Sequence, residues 1–218
     1  MFHQQPQSPY CLLLGNGAYP ESSVCKRLIA GANLLVCCDG GANYAFQNGI
    51  TPHLIIGDLD SIHDDVQNHF AIQKIPFITL KSQERNDLEK SLQYIKGHHS
   101  CTYFVLLGFL GFRDDHSYAT LQIIEKQETT AQFQIFSKTA EYLFLPPGRY
   151  QFQFPVNQHL SLFPAPIAEN LTTGGLKWNL FQETLAGGSR GLSNVVTRSD
   201  VQISFDNGKL LLIHPFIS

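Results

Sequence analysis

An α/β domain followed by an all-β domain is the fold class predicted for this 218-residue chain, and three observations predict it. Apolar strand-like runs alternate with helix-like stretches over the first two-thirds, the mark of a parallel sheet covered on both faces. After about Lys138, short β runs divided by Pro and Gly turns replace them, and no helical period is convincing. Hydrophobic residues make up 43% and charged residues 15%, a composition for compact units with room for a buried core.

The strand-like runs of the first part are "YCLLLG", "NLLVCCD", "HLIIG", "IPFITL", "CTYFVLLG" and "FQIFS". Between them, 21–30, 41–47 and 87–96 read as helices. In the last, Leu88, Leu92 and Ile95 recur at i, i+4 and i+7 along one apolar face. "RYQFQF", "HLSLFPA" and "VQISFDNGKLLLIHPF" supply strands of the second part. There Asp206-Asn207-Gly208, between two β runs, predicts a hairpin. The boundary is placed between 138 and 139, giving domains 1–138 and 139–218, with no internal repeat.

A net charge near −3 gives no electrostatic pull toward nucleic acid or an anionic membrane. Cys11, Cys25, Cys37, Cys38 and Cys101 form no C-x-x-C pair, so neither a zinc site nor a disulfide framework is expected. They read as small core groups of a protein in the reducing cytoplasm. The opening "MFHQQPQSPYCLLLG" lacks the basic and apolar segments of a signal peptide, and no stretch approaches a membrane span.

Chemistry concentrates where strands end. Asp58 and Asp60 follow "HLIIG" with only Leu59 between them. In an extended chain they share a face, a pair of hard oxygen donors suited to Mg²⁺ shared with substrate phosphates. Ser61 is placed to cap the following helix, with Asp64 favouring its N-terminus. Taken alone, D-x-D favours metal only slightly over a capped turn with solvated acids. Asp39 ends a second strand and precedes Gly40 and Gly41, where backbone amides can approach an anion at a helix start. A tight turn explains the glycines but gives no reason for Asp39.

In "QERNDLEKSL", Asn86 is a plausible N-cap, and Asp87 and Lys90 share a helix face. In isolation those two are an ordinary surface salt bridge. "LLGFLGFRDDHSYATL" repeats the arrangement with Gly108 and Gly111, then Arg113, Asp115 and His116 entering a helix. His116 by itself reads as a packing residue. These groups all follow strands of one parallel sheet and so gather at its carboxyl edge, where open α/β sheets bind ligands. Four acids with a Lys and an Arg at one rim call for a metal and an anion. The P-loop and protein-kinase signatures are absent, and "GNGAYP" does not complete G-x-G-x-x-G. In the second part, "TTGGLKWNLFQETLAGGSRGLSN" holds the sole tryptophan, Trp178, before a Gly-rich loop ending in Ser193 and Asn194. Trp178 is either a platform for a planar cation or a core residue of the β domain.

The ordered motifs "CDGGAN", "IIGDLDSI", "NDLEKSL", "GFLGFRDDH", "GLKWNL" and "GLSN" resemble the thiamine pyrophosphokinase family over nearly the whole chain. The resemblance implies a Rossmann-like N-terminal domain, a C-terminal β-sandwich, and a homodimer with active sites shared between subunits. It implies transfer of pyrophosphate from ATP to thiamine with Mg²⁺, leaving AMP. By motif, Asp39, Asp58, Asp60 and Asp87 match the acidic Mg²⁺–ATP cluster, with Asp58, Asp60 and Asp87 as metal ligands. Gly40, Gly41, Asn43, Gly108 and Gly111 fall on the nucleotide side. Lys90 and Arg113 match phosphate-side cations and Asp115 a polar contact near thiamine, as orienting group or base. Trp178, Ser193 and Asn194 match the thiamine site. Glu84 and Asn86 depart from a D-x-T-D pattern, and Phe112 replaces the second glycine of a Gly-Gly-Arg run. The alternatives are a metal-dependent nucleotide-sugar transferase and a catalytically impaired nucleotide or thiamine sensor.

Overall fold

The computed structural model describes residues 6, 9–80, 84–128 and 130–216. Residues 1–5, 7 and 8 of the opening segment read for a signal peptide lie outside them. The chain divides into two compact units, one of residues 9–123 with 135–138, the other of 124–134 with 139–216 and Pro6.

In the first unit, β1 (Cys11–Leu14), β2 (Leu34–Cys38), β3 (Leu54–Gly57), β4 (Phe77–Thr79) and β5 (Tyr103–Leu107) run in the order β4-β3-β2-β1-β5. Every neighbouring pair among them is parallel. Helices α1 (Ser22–Ala30), α2 (Gly41–Gln47), α3 (Asp64–Ile72), α4 (Asp87–His98) and α5 (Asp114–Glu125) occupy the connections. β1, β3 and β5 are buried at every position, as strands covered on both faces must be. Leu12, Leu14, Val105 and Ile55 pack with Val24 and Leu28 of α1 and Phe70 of α3 in one core. The order reverses direction at β1, between the ends of β2 and β5, the position where such sheets take ligands.

The division between the units falls within α5 and within β6 (Gln132–Phe136). The second unit is antiparallel throughout: β7 (Ala140–Leu145), β8 (Gly148–Gln153), β9 (His159–Gly174), β10 (Glu183–Ala186), β11 (Asn194–Val195), β12 (Asp200–Phe205) and β13 (Asn207–Pro215). The order is β7-β13-β9-β12-β8, with β10 and β11 also on β9. Leu160, Leu162, Leu171, Val201, Ile203 and Leu210 belong to its core.

Two local expectations are corrected here. Asp206-Asn207-Gly208 joins β12 to β13, but each of those strands pairs with β9 and they do not form a hairpin. β9 is 16 residues long and bends at Asn170, where φ is +55°, so its two ends serve different neighbours. Cys11 and Cys101 form a disulfide, where unpaired thiols were expected. Parallel pairing of β1 with β5 sets Cys11 opposite Phe104 and brings the two cysteines to a Cα separation of 6.4 Å across 90 residues. Cys25, Cys37 and Cys38 are free and buried. Among the described residues no helix is long and apolar enough to cross a membrane.

Candidate active site

The strand ends build the site one loop at a time. After β2, Asp39 takes φ +45° with only 6% of its surface exposed, and its amide donates to the Ile56 carbonyl at 2.8 Å. Gly41 then starts α2 so close to β1 that a Cβ would lie 2.0 Å from the Leu14 oxygen. Close packing alone therefore demands this glycine. Gly108 and Gly111 hold positive φ against Gly15 and Ala18, so both are also required by the fold of their loop. Gly40, Gly108 and Gly111 line the same cavity.

After β3 the chain does not continue as a strand. Leu59 adopts φ +71° and packs on the core, while Asp58 and Asp60 stay in contact, the Asp60 amide donating to Asp58 Oδ1 at 3.5 Å. The carboxylates brought together are Asp39, Asp58 and Asp87, with donor atoms all within 4.8 Å of one another. Asp60 lies outside that group and accepts from the Ser61 hydroxyl at 3.0 Å. Ser61 does not cap α3, whose N-cap is His63 with no side-chain cap bond. Instead Ser61 lines the cavity.

Lys90, 5% exposed, reaches Asp87 at 2.9 Å and Asp58 at 3.4 Å. Burial works against its ammonium, but the two carboxylates outweigh it and raise the pKa. Burial likewise works to raise Asp58, yet the Asp60 amide and Lys90 together hold it below its ordinary value. Asp39 moves the other way: burial pushes its carboxyl up, and the Asp87 and Asp58 charges add to this against the Ser61 hydroxyl. Its Oδ1 is buried with no hydrogen-bond partner among the described residues. An orphaned carboxylate oxygen beside two further carboxylates fits a hard divalent cation.

Asp39 and Asp87 border a cavity of about 310 Å³ that is also lined by Asn16, Phe112, Arg113 and His116; Asp58 is not among its lining residues. Arg113 grips Asp115 through two bonds, Nε to Oδ1 at 3.1 Å and Nη2 to Oδ2 at 2.5 Å. That grip, helped by the His116 amide, holds the Asp115 carboxyl down at about 2. Phe112 takes φ +62° with its ring 80% exposed. Cys38 in the same wall stays a thiol, because burial pushes it up to about 12. Sequence reasoning missed Asn16, although "GNGAYP" carried the signal: a Gly-x-Gly turn at the end of β1, beside the strand reversal.

The second unit has its own cavity, of about 730 Å³, lined among others by Lys177, Trp178, Arg190, Ser193 and Asn194. Trp178 is 55% exposed, which removes the core-tryptophan reading. Lys177 Nζ stands 4.6 Å from the ring centroid, a cation already seated on the indole. The Asn194 side chain is spent on backbone: its Oδ1 accepts from the Trp178 amide at 3.1 Å and its Nδ2 donates to the Trp178 carbonyl at 2.8 Å. Ser193 takes φ +56°, and its amide donates to Ser161 Oγ at 3.0 Å. Asn194 thus holds the segment that presents the tryptophan, while Ser193 is anchored on β9.

Clustered acids with a lysine at the carboxyl edge of a parallel sheet define a protein of the metal- and phosphate-binding α/β class. Residues 25–136 match the thiamin pyrophosphokinase catalytic domain, and residues 149–210 match the thiamin pyrophosphokinase vitamin B1 binding domain. The chain belongs to the thiamine pyrophosphokinase family. Thiamine pyrophosphokinase 2 of Oryza sativa subsp. japonica is 30% identical, over 94% of this chain and 86% of the relative. Thiamine pyrophosphokinase 1 of Arabidopsis thaliana is 27% identical over 94% and 85%. The crystal structure of thiamine pyrophosphokinase from Bacillus subtilis superposes with a TM-score of 0.80 at 21% identity, covering 94% of this chain and 98% of that one. Yeast thiamin pyrophosphokinase gives 0.76 at 16%, covering 98% and 88%.

Proposed function

We propose that the chain is an ATP-dependent thiamine diphosphokinase, converting ATP and thiamine to AMP and thiamine diphosphate. The thiamine hydroxyl oxygen bonds to the β-phosphorus of ATP and gives up its proton to solvent, the bond from that phosphorus to the α,β-bridging oxygen breaks, and AMP leaves with that oxygen. The observation that carries this reading is the group of Asp39, Asp58 and Asp87 within 4.8 Å, with Lys90 paired to Asp87 and Asp58, on the carboxyl edge of a parallel sheet. Residues 1–138 are assigned to ATP and Mg²⁺, and residues 139–218 to thiamine.

Asp39, Asp58 and Asp87 would hold Mg²⁺, with Asp60 in the same loop as Asp58. The bound ion supplies charge neutralisation to the polyphosphate. Lys90 and Arg113 are assigned to phosphate oxygens, and the remaining work is positioning. Asp115, held at about 2, is a weak proton acceptor at neutral pH, so we assign it to orienting Arg113 and the thiamine side. Gly40, Gly41, Gly108 and Gly111 shape the nucleotide loops. Trp178 takes the planar thiamine cation on a segment held by Asn194, with Ser193 lining the same cavity. The enzyme is read as a cytoplasmic homodimer. Neither a nucleotide-sugar transferase nor an impaired sensor is favoured, since matches to both kinase domains span most of the chain.

The test is AMP release from ATP in the presence of thiamine and Mg²⁺. AMP is expected to appear in step with thiamine diphosphate, and Asp58→Asn to slow it about a hundredfold or more. Release of a nucleoside diphosphate, or binding of both substrates with no AMP formed, overturns the reading.

A further inference from the structure

Asn43 was grouped with the nucleotide-binding residues by its motif, but its surroundings say otherwise. It lies in the first turn of α2, 8% exposed, and is not among the residues lining the 310 Å³ cavity. Both ends of its amide are committed to one loop: Nδ2 donates to the Ser61 carbonyl at 2.8 Å, and Oδ1 accepts from the His63 amide at 3.1 Å. That loop carries Asp58 and Asp60, while α2 begins directly after Asp39. We propose that Asn43 is a positioning residue that clamps these two strand-end loops together, and so sets the affinity of the acid cluster for a divalent cation without touching nucleotide.

The physical argument starts from Ser61. With its carbonyl held by Asn43, its hydroxyl donates to Asp60 at 3.0 Å, in the loop that carries Asp58. Asp39 and Asp58 follow different strands, and as like charges within 4.8 Å they oppose each other. Close carboxylates separate unless the backbone beneath them is fixed, because repulsion favours any relaxation of the loop. A buried amide with two backbone partners supplies that fixing at low entropic cost, since its rotamer is already set by packing.

The inference rests on the reading of Asp39, Asp58 and Asp87 as metal ligands, and its test separates the two. Mn²⁺ is titrated into the full chain without nucleotide, and free ion is counted by electron paramagnetic resonance. Three variants are compared with wild type: Asn43→Ala, His63→Pro and Asp58→Asn. His63 has φ −66°, which proline adopts, so His63→Pro deletes the N–H that bonds Asn43 while leaving Asn43 itself in place. It also carries the test if Asn43→Ala does not fold. Both clamp variants are expected to bind Mn²⁺ about tenfold more weakly, to keep wild-type affinity for metal-free ATP, and to recover turnover as Mg²⁺ is raised. Wild-type Mn²⁺ affinity in either folded variant overturns the clamp. Lost affinity of Asn43→Ala for metal-free ATP instead makes Asn43 a direct nucleotide contact. Mn²⁺ affinity that Asp58→Asn leaves unchanged overturns the metal reading beneath it.

Discussion

Phe112 and Asp115 show how far a side chain's role depends on its own few ångströms. Phe112 sits at φ +62°, where a Cβ crowds the following carbonyl and glycine does not. Nothing is gained in return by burial, for the ring is 80% exposed. Phe112→Gly is therefore expected to stabilise the protein by about 1 kcal/mol, net of the entropy glycine adds to the unfolded chain. The melting temperature should rise by about 2–4 °C. Phe112→Ala keeps the strained backbone and should show no such gain in the same calorimetric scan. Asp115 makes a second case. Its folded pKa of about 2 is set first by the Arg113 bonds, with the His116 amide and charge adding to them. A depressed carboxyl contributes stability above its unfolded pKa of about 4, and loses it as pH falls toward 2. Carbon-detected NMR should place the Asp115 midpoint near 2 in wild type and higher in Arg113→Met, short of the ordinary value because the His116 amide remains. An unchanged midpoint in that variant means that Arg113 is not the cause.

Helix α4 carries two charged members of the site, Asp87 and Lys90, and is started by Asn86, whose Oδ1 accepts from the Glu89 amide at 3.0 Å. This accounts for one departure from the family pattern: asparagine and threonine are both good N-caps, so Asn86 keeps the helix start that threonine would make. Asn86→Ala should cost about 1 kcal/mol, whereas Asn86→Thr should stay within about half of that, both read from urea midpoints. Because Asp87 is the first residue of the helix, the alanine variant should also raise the Mg²⁺ concentration needed for half-maximal rate. Equal stability of the two variants would remove the cap from the explanation. No physical account is offered for Glu84, the other departure in that segment.

The proposed homodimer with shared sites makes a prediction about the assembled enzyme. Asp58→Asn and Trp178→Ala, each crippled alone, are unfolded and refolded together in equal amounts. Random pairing makes about half of the dimers mixed, and in each mixed dimer one site collects both lesions while the other has neither. About a quarter of wild-type activity should return, against refolded wild type as the control for yield. A site built within one subunit has one lesion everywhere and recovers nothing. Mixed dimers confirmed by mass spectrometry, with activity no higher than the mean of the two variants, would refute sharing.

The alternation of apolar strands with helices and the later change to β runs determined the fold class. Both are one-dimensional patterns of burial, and burial patterns survive in the order of residues. Strand-end chemistry was legible for the same reason: Asp39, Asp58, Asp87, Arg113 and Trp178 stand out against apolar runs or turn residues. What tertiary structure alone decided was which of these meet. Asp58 and Asp60 are neighbours in sequence and stay in contact, but only the fold brings Asp39 in from the end of another strand to join Asp58. Lys90 and Asp87 read as a surface pair until α4 delivers Lys90, 5% exposed, beside Asp58. Cys11 finds Cys101 only through the register of β1 on β5, and β12 and β13 decline their hairpin because long β9 offers each a better edge. Each of these depends on a backbone dihedral or a strand register set by contacts far along the chain, and no local pattern of residues encodes such contacts.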